Sequence, residues 1–239
     1  MNTMKTAVLA LAVAIAAPCA NEGDLFSTAL GPVMIAPVHH ASLVIQGAGR
    51  VVYVDPSSEA NYRGFAKADL VLITAADADH FDPAIFARGP TKNAPIIGPV
   101  EIGTGLKRFT ALENGGTVQV GDITIQAVAS YRSGTDAKTI HEPHRGNGYV
   151  LTYPGLRVYI SGRTALIPEM KSLKNIDVAF LSVGTPGALS LDDAAQAMLL
   201  IKPKTVYPYQ YGQTSLDDIR RQLLHAVPGV EVRVRNWYE

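Results

Sequence analysis

The chain has 239 residues, 47% hydrophobic and 18% charged, and its 21 basic side chains equal its 21 acidic ones. This length suits one large domain with a substantial hydrophobic core. A net charge of zero gives no field that would recruit nucleic acid or an anionic membrane surface, so we expect neither as a partner. The 21 glycines and 15 prolines favour a fold rich in strands and turns.

The N-terminus has the pattern of a secretory signal peptide. Lys5 supplies a thin positive region, residues 7–17 are apolar but too few to span a bilayer, and small residues follow. We expect residues 1–20 to be removed and residues 21–239 to form a single domain in the periplasm or outside the cell. Cys19 is the one cysteine, and the proline before it disfavours a lipoprotein anchor. If Cys19 is removed with the signal peptide, the mature chain has no thiol that could form a disulfide, bind zinc or act as a nucleophile.

Export can be tested directly by N-terminal sequencing of the protein from the native cell envelope. The sequence read should begin between Ala17 and Glu22, because the small residues there suit cleavage after the apolar stretch. Protein in the mature fraction that still carries Met1 would contradict the prediction.

Short runs of branched and aromatic residues, separated by glycine, proline and asparagine, predict most of the secondary structure. The Gly-Ala-Gly turn at residues 47–49 is the clearest hairpin signal. Ser190 is a typical N-cap for the helix after it. The predicted strands are 33–38, 42–46, 50–54, 69–74, 96–98, 117–120, 123–129, 149–153, 157–160, 177–183, 205–209 and 230–234. The predicted helices are 82–87, 100–106, 191–201 and 215–226. This pattern favours two sheets packed face to face with helices outside.

The stretch T-A-A-D-A-D-H-F-D-P at residues 74–83 contains the densest group of candidate site residues. It follows a predicted buried strand, and a strand ending in Asp and His can hold metal ligands at a sheet edge. Asp82, before a proline, is predicted to cap a short helix. Asp55 is either a turn former or a site residue, and His40 either an ordinary strand histidine or a pocket residue.

Several other segments carry motifs that occur together in one family. They are P-V-H-H-A-S-L-V at 37–44, V-Y-V-D-P at 52–56, G-N-G-Y-V-L-T at 146–152, R-V-Y-I-S-G-R-T at 157–164, K-P-K-T-V-Y-P-Y-Q-Y at 202–211 and V-R-V-R-N-W-Y at 232–238. With the 74–83 stretch they resemble the metallo-β-lactamase superfamily, in particular a periplasmic metallohydrolase-like branch. The resemblance implies an α/β fold, a four-layer αββα sandwich of two mixed β-sheets with outer helices.

The family's loop reads T-H-x-H-x-D-H or T-D-x-H-x-D-H and belongs to a dinuclear zinc site. Asp79 and His80 match its last two positions, and His141 falls where the branch has a histidine. Five other ligand-type positions are substituted. They are Ala75, Asp77, Arg132, Arg163 and Gln210. An arginine cannot bind a cation, because its guanidinium has no free lone pair and stays protonated. We therefore expect no zinc pair and no other cofactor.

The resemblance and its departures leave two main functions open. The first is a hydrolase-like pseudoenzyme that binds a small anionic ligand or serves as an interaction scaffold. Its implied pocket residues are His40, Asp55, Arg132, His141, Arg163 and Gln210. The second is an active hydrolase with Asp79 and His80 as catalytic residues. In it Asp77, Asp79 and His80 hold one zinc ion that activates water on an ester, lactone or phosphodiester.

A metal-free hydrolase with His80 or His141 as general base is a third alternative. The fold does not specify a substrate, and the sequence names no protein partner.

The loss of two zinc ions would leave carboxylates crowded at one sheet edge, where they repel one another. The resemblance brings Arg132 and Arg163 to the same pocket. We therefore predict that one or both of these guanidiniums pair with Asp77 and Asp79 and replace the missing cations electrostatically. The alternative is that both arginines point to solvent.

Overall fold

The computed structural model describes residues 23–87, 89–103, 105–132 and 146–238. Its strands form two seven-stranded sheets, and neighbours within each sheet follow chain order. The first sheet contains β1 (Asp24–Thr28), β2 (Gly31–His39), β3 (Ser42–Gly47), β4 (Arg50–Val54), β5 (Leu70–Leu72), β6 (Ile96–Gly98) and β7 (Phe109–Ala111). The second contains β8 (Thr117–Val120), β9 (Ile123–Ala129), β10 (Asn147–Tyr153), β11 (Leu156–Ile160), β12 (Val178–Ser182), β13 (Thr205–Tyr209) and β14 (Glu231–Val232). Helix α1 (Leu191–Ile201) precedes β13 and α2 (Leu216–Leu223) follows it.

The two sheets share one plan. Each begins with four antiparallel strands, β1–β4 and β8–β11, and continues with parallel strands. The β3–β4 hairpin turns through Ala48 and Gly49, whose φ angles of 50° and 69° suit the mirror-image turn that matches strand twist. The loops after the parallel strands are where candidate site residues from both sheets meet.

The main core lies between the sheets and continues under both helices. One hydrophobic cluster joins residues such as Leu43 of β3, Tyr149 of β10 and Met198 of α1. A second cluster covers the other face of the first sheet, where Val71 of β5 packs with Ile85 of the 3-10 helix Pro83–Phe86. In the part of the chain that the structure describes, no α-helix belongs to that second cluster. The predicted sandwich of two mixed sheets is confirmed, with turns and loops as the outer layer on that side.

Several predicted elements differ from the observed ones. The predicted helix 100–106 is only the 3-10 turn Val100–Ile102, because Gly103 follows at a φ of 75°, which an α-helix cannot continue. The predicted helix 215–226 ends at Leu223, and the last strand has only two residues. Three elements were not predicted. They are β1, β7 and the 3-10 helix Pro168–Ser172.

The cap prediction for Asp82 is confirmed. Its side chain accepts a hydrogen bond from the backbone N–H of Ala84 (2.9 Å) at the start of the 3-10 helix. The expected signal peptide, Cys19 and His141 all lie outside the described residues. Of the helices that are described, none has the length and apolar character needed to cross a membrane.

Candidate functional site

The site is built around a buried cluster of Asp55, Thr74 and His80 at the ends of β4 and β5. Asp55 Oδ1 accepts from the Thr74 N–H (2.7 Å), and its Oδ2 accepts from the Thr74 hydroxyl (2.6 Å) and from His80 Nδ1 (2.9 Å). Both side chains of the Asp55–His80 pair are 0% exposed. A carboxylate buried this completely needs such donors, because leaving it unpaired would be very costly. Asp55 is therefore both a turn residue, with a φ of 42°, and a site residue.

The amide of Gln210, after β13, is oriented by its neighbours. Its oxygen lies 2.9 Å from Arg163 Nη2 and 2.6 Å from His80 Nε2, and its nitrogen donates to Ser182 Oγ (3.0 Å). A guanidinium has only donors, so the amide oxygen must face Arg163. His80 therefore has a protein oxygen at hydrogen-bond distance from each ring nitrogen, that of Gln210 at Nε2 and that of Asp55 at Nδ1.

Two arginines pair with the two exposed carboxylates of the 74–83 stretch. Arg163 Nη2 contacts Asp79 Oδ2, Arg163 Nη1 lies 3.9 Å from Asp77 Oδ2, and Arg132 Nη2 contacts Asp77 Oδ2. The Arg163 side chain is only 13% exposed, whereas that of Arg132 is 46% exposed. The structure therefore has the predicted pairing, and the alternative in which both arginines point to solvent is wrong.

His40 connects this ion-pair network to the C-terminal segment. Tyr238 Oη accepts from the Gly212 N–H (2.9 Å), so its hydroxyl proton is free to donate to His40 Nδ1 (2.7 Å). His40 then carries its proton on Nε2, which faces Asp79 Oδ2 at 3.3 Å. Burial, followed by the nearby His80 and Arg163, lowers the pKa of His40 to about 4. The ring is neutral at pH 7, and its contact with Asp79 is a hydrogen bond rather than an ion pair.

The structure brings together all the candidate site residues that it describes. They are His40, Asp55, Asp77, Asp79, His80, Arg132, Arg163 and Gln210. His40, Asp55 and Gln210 have φ angles of 50°, 42° and 56°. Non-glycine residues seldom adopt this left-handed region, and they concentrate at functional sites.

Sequence reasoning assigned no role to Thr74, Ser182 or Tyr238, which complete the hydrogen bonding of these side chains. For Tyr238 the available signal was the family-like ending at 232–238. Tyr207, Tyr209 and Tyr211 are buried in the core, since each is under 5% exposed.

The donor atoms around His80 do not suit a zinc pair. A zinc ligand must offer a lone pair to the metal, and both His80 nitrogens are already in hydrogen-bond contact with protein oxygens. Arg163 and Gln210 contribute guanidinium and amide groups, and Ala75 contributes no side-chain donor. Among the described residues, no three His, Cys, Asp or Glu side chains form a group that could hold a metal ion.

Two seven-stranded mixed sheets, with a site at the loops after β4, β5, β11 and β13, define a protein of the metallo-β-lactamase fold. The family described as the beta-lactamase superfamily domain matches residues 34–210, which is well over half of the chain. The chain belongs to this family.

Similar proteins agree with this assignment. A UPF0173 metal-dependent hydrolase of Thermococcus onnurineus is 31% identical over 186 residues, covering 72% of this chain and 81% of that protein. A crystal structure from Parabacteroides distasonis, provisionally described as a metal-dependent hydrolase, is 38% identical with a TM-score of 0.82 and covers 92% of this chain and 100% of the other. The metallo hydrolase Igni18 of Ignicoccus hospitalis, at 21% identity, a TM-score of 0.72 and coverage of 87% and 96%, shows the shared fold.

Proposed function

We propose that this chain is a hydrolase-like protein that does not use a dinuclear zinc centre and instead holds its pocket together with an ion-pair network. In this proposal the protein is exported and the pocket binds a small anionic ligand. The observation that carries the proposal is the position of Arg163, whose guanidinium contacts Asp79 and the Gln210 oxygen. A permanent cation there neutralises the carboxylate that a divalent metal would otherwise neutralise.

The charges of the network balance without any added ion. Two permanent cations, Arg132 and Arg163, face the two exposed carboxylates, Asp77 and Asp79. The buried Asp55 carboxylate is paired separately with His80. A divalent cation would have to displace at least one arginine and would meet its positive charge nearby. This repulsion supports the metal-independent proposal.

Arg132 supports the ligand part of the proposal. Its side chain is 46% exposed, so donors of its planar fork remain accessible at the mouth of the site. A guanidinium in this position suits a carboxylate or phosphate group, which it can bind through two parallel hydrogen bonds. His40, on the other side of the ion-pair network at Asp79, has a low pKa of about 4 and adds no charge at pH 7.

The other candidate function is a hydrolase with one metal ion, and the names of the relatives favour it. The proteins from Thermococcus onnurineus and Parabacteroides distasonis are both described as metal-dependent. In this alternative Asp77 and Asp79, which are 45% and 37% exposed, would exchange their arginine partners for the ion.

Metal content separates the two functions. Protein purified without added zinc should contain no stoichiometric zinc, iron or manganese by mass spectrometry, because the cations of the network already occupy the carboxylates. A chelator should leave the melting temperature unchanged, since removing a tightly bound ligand lowers stability only where one is bound. One metal ion per chain, or a clear chelator-induced drop in melting temperature, would support the single-metal hydrolase instead.

A double variant provides the matched comparison. Arg163→Asp with Gln210→His restores two ligand types, but surrounding hydrogen bonds also orient and tune zinc ligands. We therefore expect this variant to bind zinc weakly and below one equivalent. Tight binding of one or two zinc ions would show that the remaining side chains are still arranged for the metal.

A further inference from the structure

A second, strongly basic cavity lies at the opposite end of the second sheet from the site. It is a groove of about 820 Å³ between the β10–β11 turn, the 3-10 helix Pro168–Ser172 and the end of α1. The ion-pair site lies at the C-terminal ends of β11, β12 and β13. The groove lies at their N-terminal ends, where Arg157, Asp177 and Lys204 line it. Five residues of a strand span about 16 Å, so the two sites are separate.

The charge of the groove is far from balanced. Five of its lining residues are cationic and one is acidic. The cations are Arg157, Lys171, Lys174, Lys202 and Lys204. Asp177 is already engaged, because its Oδ1 pairs with Lys204 Nζ (2.6 Å) and its Oδ2 accepts from the Arg157 N–H (2.8 Å). The C-terminal carbonyls of α1 supply only about half a negative charge, which leaves a strong positive potential.

Two buried polar groups of the lining have no partner. The Nε of Arg157 and the hydroxyl of Tyr153 are both buried without a hydrogen bond, and Tyr153 is only 2% exposed. Among the described residues, no carboxylate lies within ion-pair distance of the Arg157 guanidinium. Arg157 therefore holds a positive charge in the groove wall that no described carboxylate neutralises, and this charge adds to the positive potential of the groove.

We propose that this groove is a binding site for a small, multiply charged anion such as a diphosphate or a polycarboxylate. Its volume lies in the range of small-molecule sites, and four net positive charges, five cations against one carboxylate, match a ligand with two or more negative charges. The bound anion contacts Arg157 at the groove wall, and Lys171 and Lys174 at the rim provide additional attraction. The site is independent of the ion-pair pocket and of any metal there.

Calorimetric titration of the full-length protein with pyrophosphate and, separately, with citrate tests this proposal. Wild type should bind at least one of them, and binding should weaken as salt is raised, because the rim lysines are exposed and therefore screened. Lys171→Glu with Lys174→Glu should weaken binding by about tenfold or more. Arg157→Gln, which removes one positive charge and adds no negative charge, should also weaken binding. The exposed Lys92→Glu, one charge reversal of the same kind away from the groove, should bind like wild type.

Three results would overturn the proposal. The first is no binding of either anion by wild type in a low-salt buffer. The second is equal affinity in wild type and the Lys171/Lys174 double variant, which is expected to fold because both side chains are exposed. The third is loss of binding in Arg132→Gln with retention in the double variant, which would place the anion at the ion-pair site. None of these outcomes depends on metal content, so a failure here is distinguishable from a failure of the proposed function.

Discussion

Asp55→Ala is expected to cost about 3–5 kcal/mol of unfolding free energy, the largest effect of any substitution in the site. The change leaves the His80 side chain buried without its carboxylate partner, because Asp55 and His80 are both 0% exposed. It also removes the acceptor of the Thr74 N–H and hydroxyl. In a domain of this size the loss corresponds to a melting temperature lowered by about 6–20 °C, measured by circular dichroism.

Asp82→Ala is the matched control, because it removes an aspartate that caps a short helix near the surface. Its expected cost is about 1 kcal/mol. If Asp55→Ala does not fold, Asp55→Asn keeps the shape and tolerates the left-handed backbone. It removes the charge and replaces one of the two acceptor oxygens with an NH2 donor. The double variant Asp55→Ala with His80→Ala should lose less than the sum of the single changes. A cost below about 1 kcal/mol for Asp55→Ala would show that the buried Asp55–His80 pair does not stabilise the fold.

The local elements could be predicted because their signals are local. The β3–β4 turn needs two adjacent residues with positive φ, and Ala48 and Gly49 adopt these angles. The signal for the turn therefore lies within a few residues of the sequence. Helix α1 begins where Ser190 Oγ accepts from the Asp193 N–H (3.0 Å), as its sequence indicates. Strand β1 has no such signal. Part of what holds it is Asp24, which pairs with Arg235 across 211 positions of the chain.

The site was predicted by resemblance more than by pattern. Asp79 and His80 match a motif, but the pairing of Arg163 with Asp79 depends on two sheets meeting, which periodicity does not encode. The pairing could still be predicted from electrostatics. Crowded carboxylates need nearby cations, and this need does not depend on the positions of the arginines in the sequence. The hydrogen bond between Tyr238 and His40 joins residues 198 positions apart, and neither segment alone indicates it.

Arg163→Ala is expected to lower the free energy of unfolding by about 2 kcal/mol, between the values for exposed and buried pairs. Arg163 is 13% exposed, but Asp79 is 37% exposed, so solvent partly screens the pair. The substitution also removes the donor to the Gln210 oxygen, which keeps only the His80 contact. The melting temperature should fall by about 4–8 °C. Arg220→Ala, which breaks an exposed pair with Asp217 on α2, is the matched control and should cost less than about 1 kcal/mol.

The double variant Arg163→Ala with Asp79→Ala isolates the pair itself. If the two charges stabilise one another, the double change should cost about 1 kcal/mol less than the sum of the two single changes. Asp79→Ala also removes the hydrogen-bond partner of His40 Nε2. This loss occurs both in the single variant Asp79→Ala and in the double variant, so it cancels in the comparison. Additive costs would mean that Arg163 and Asp79 act separately and that the guanidinium does not replace a metal ion. The ion-pair network requires two results together. The costs of Arg163→Ala and Asp79→Ala must be non-additive, and a chelator must leave the melting temperature of the wild type unchanged.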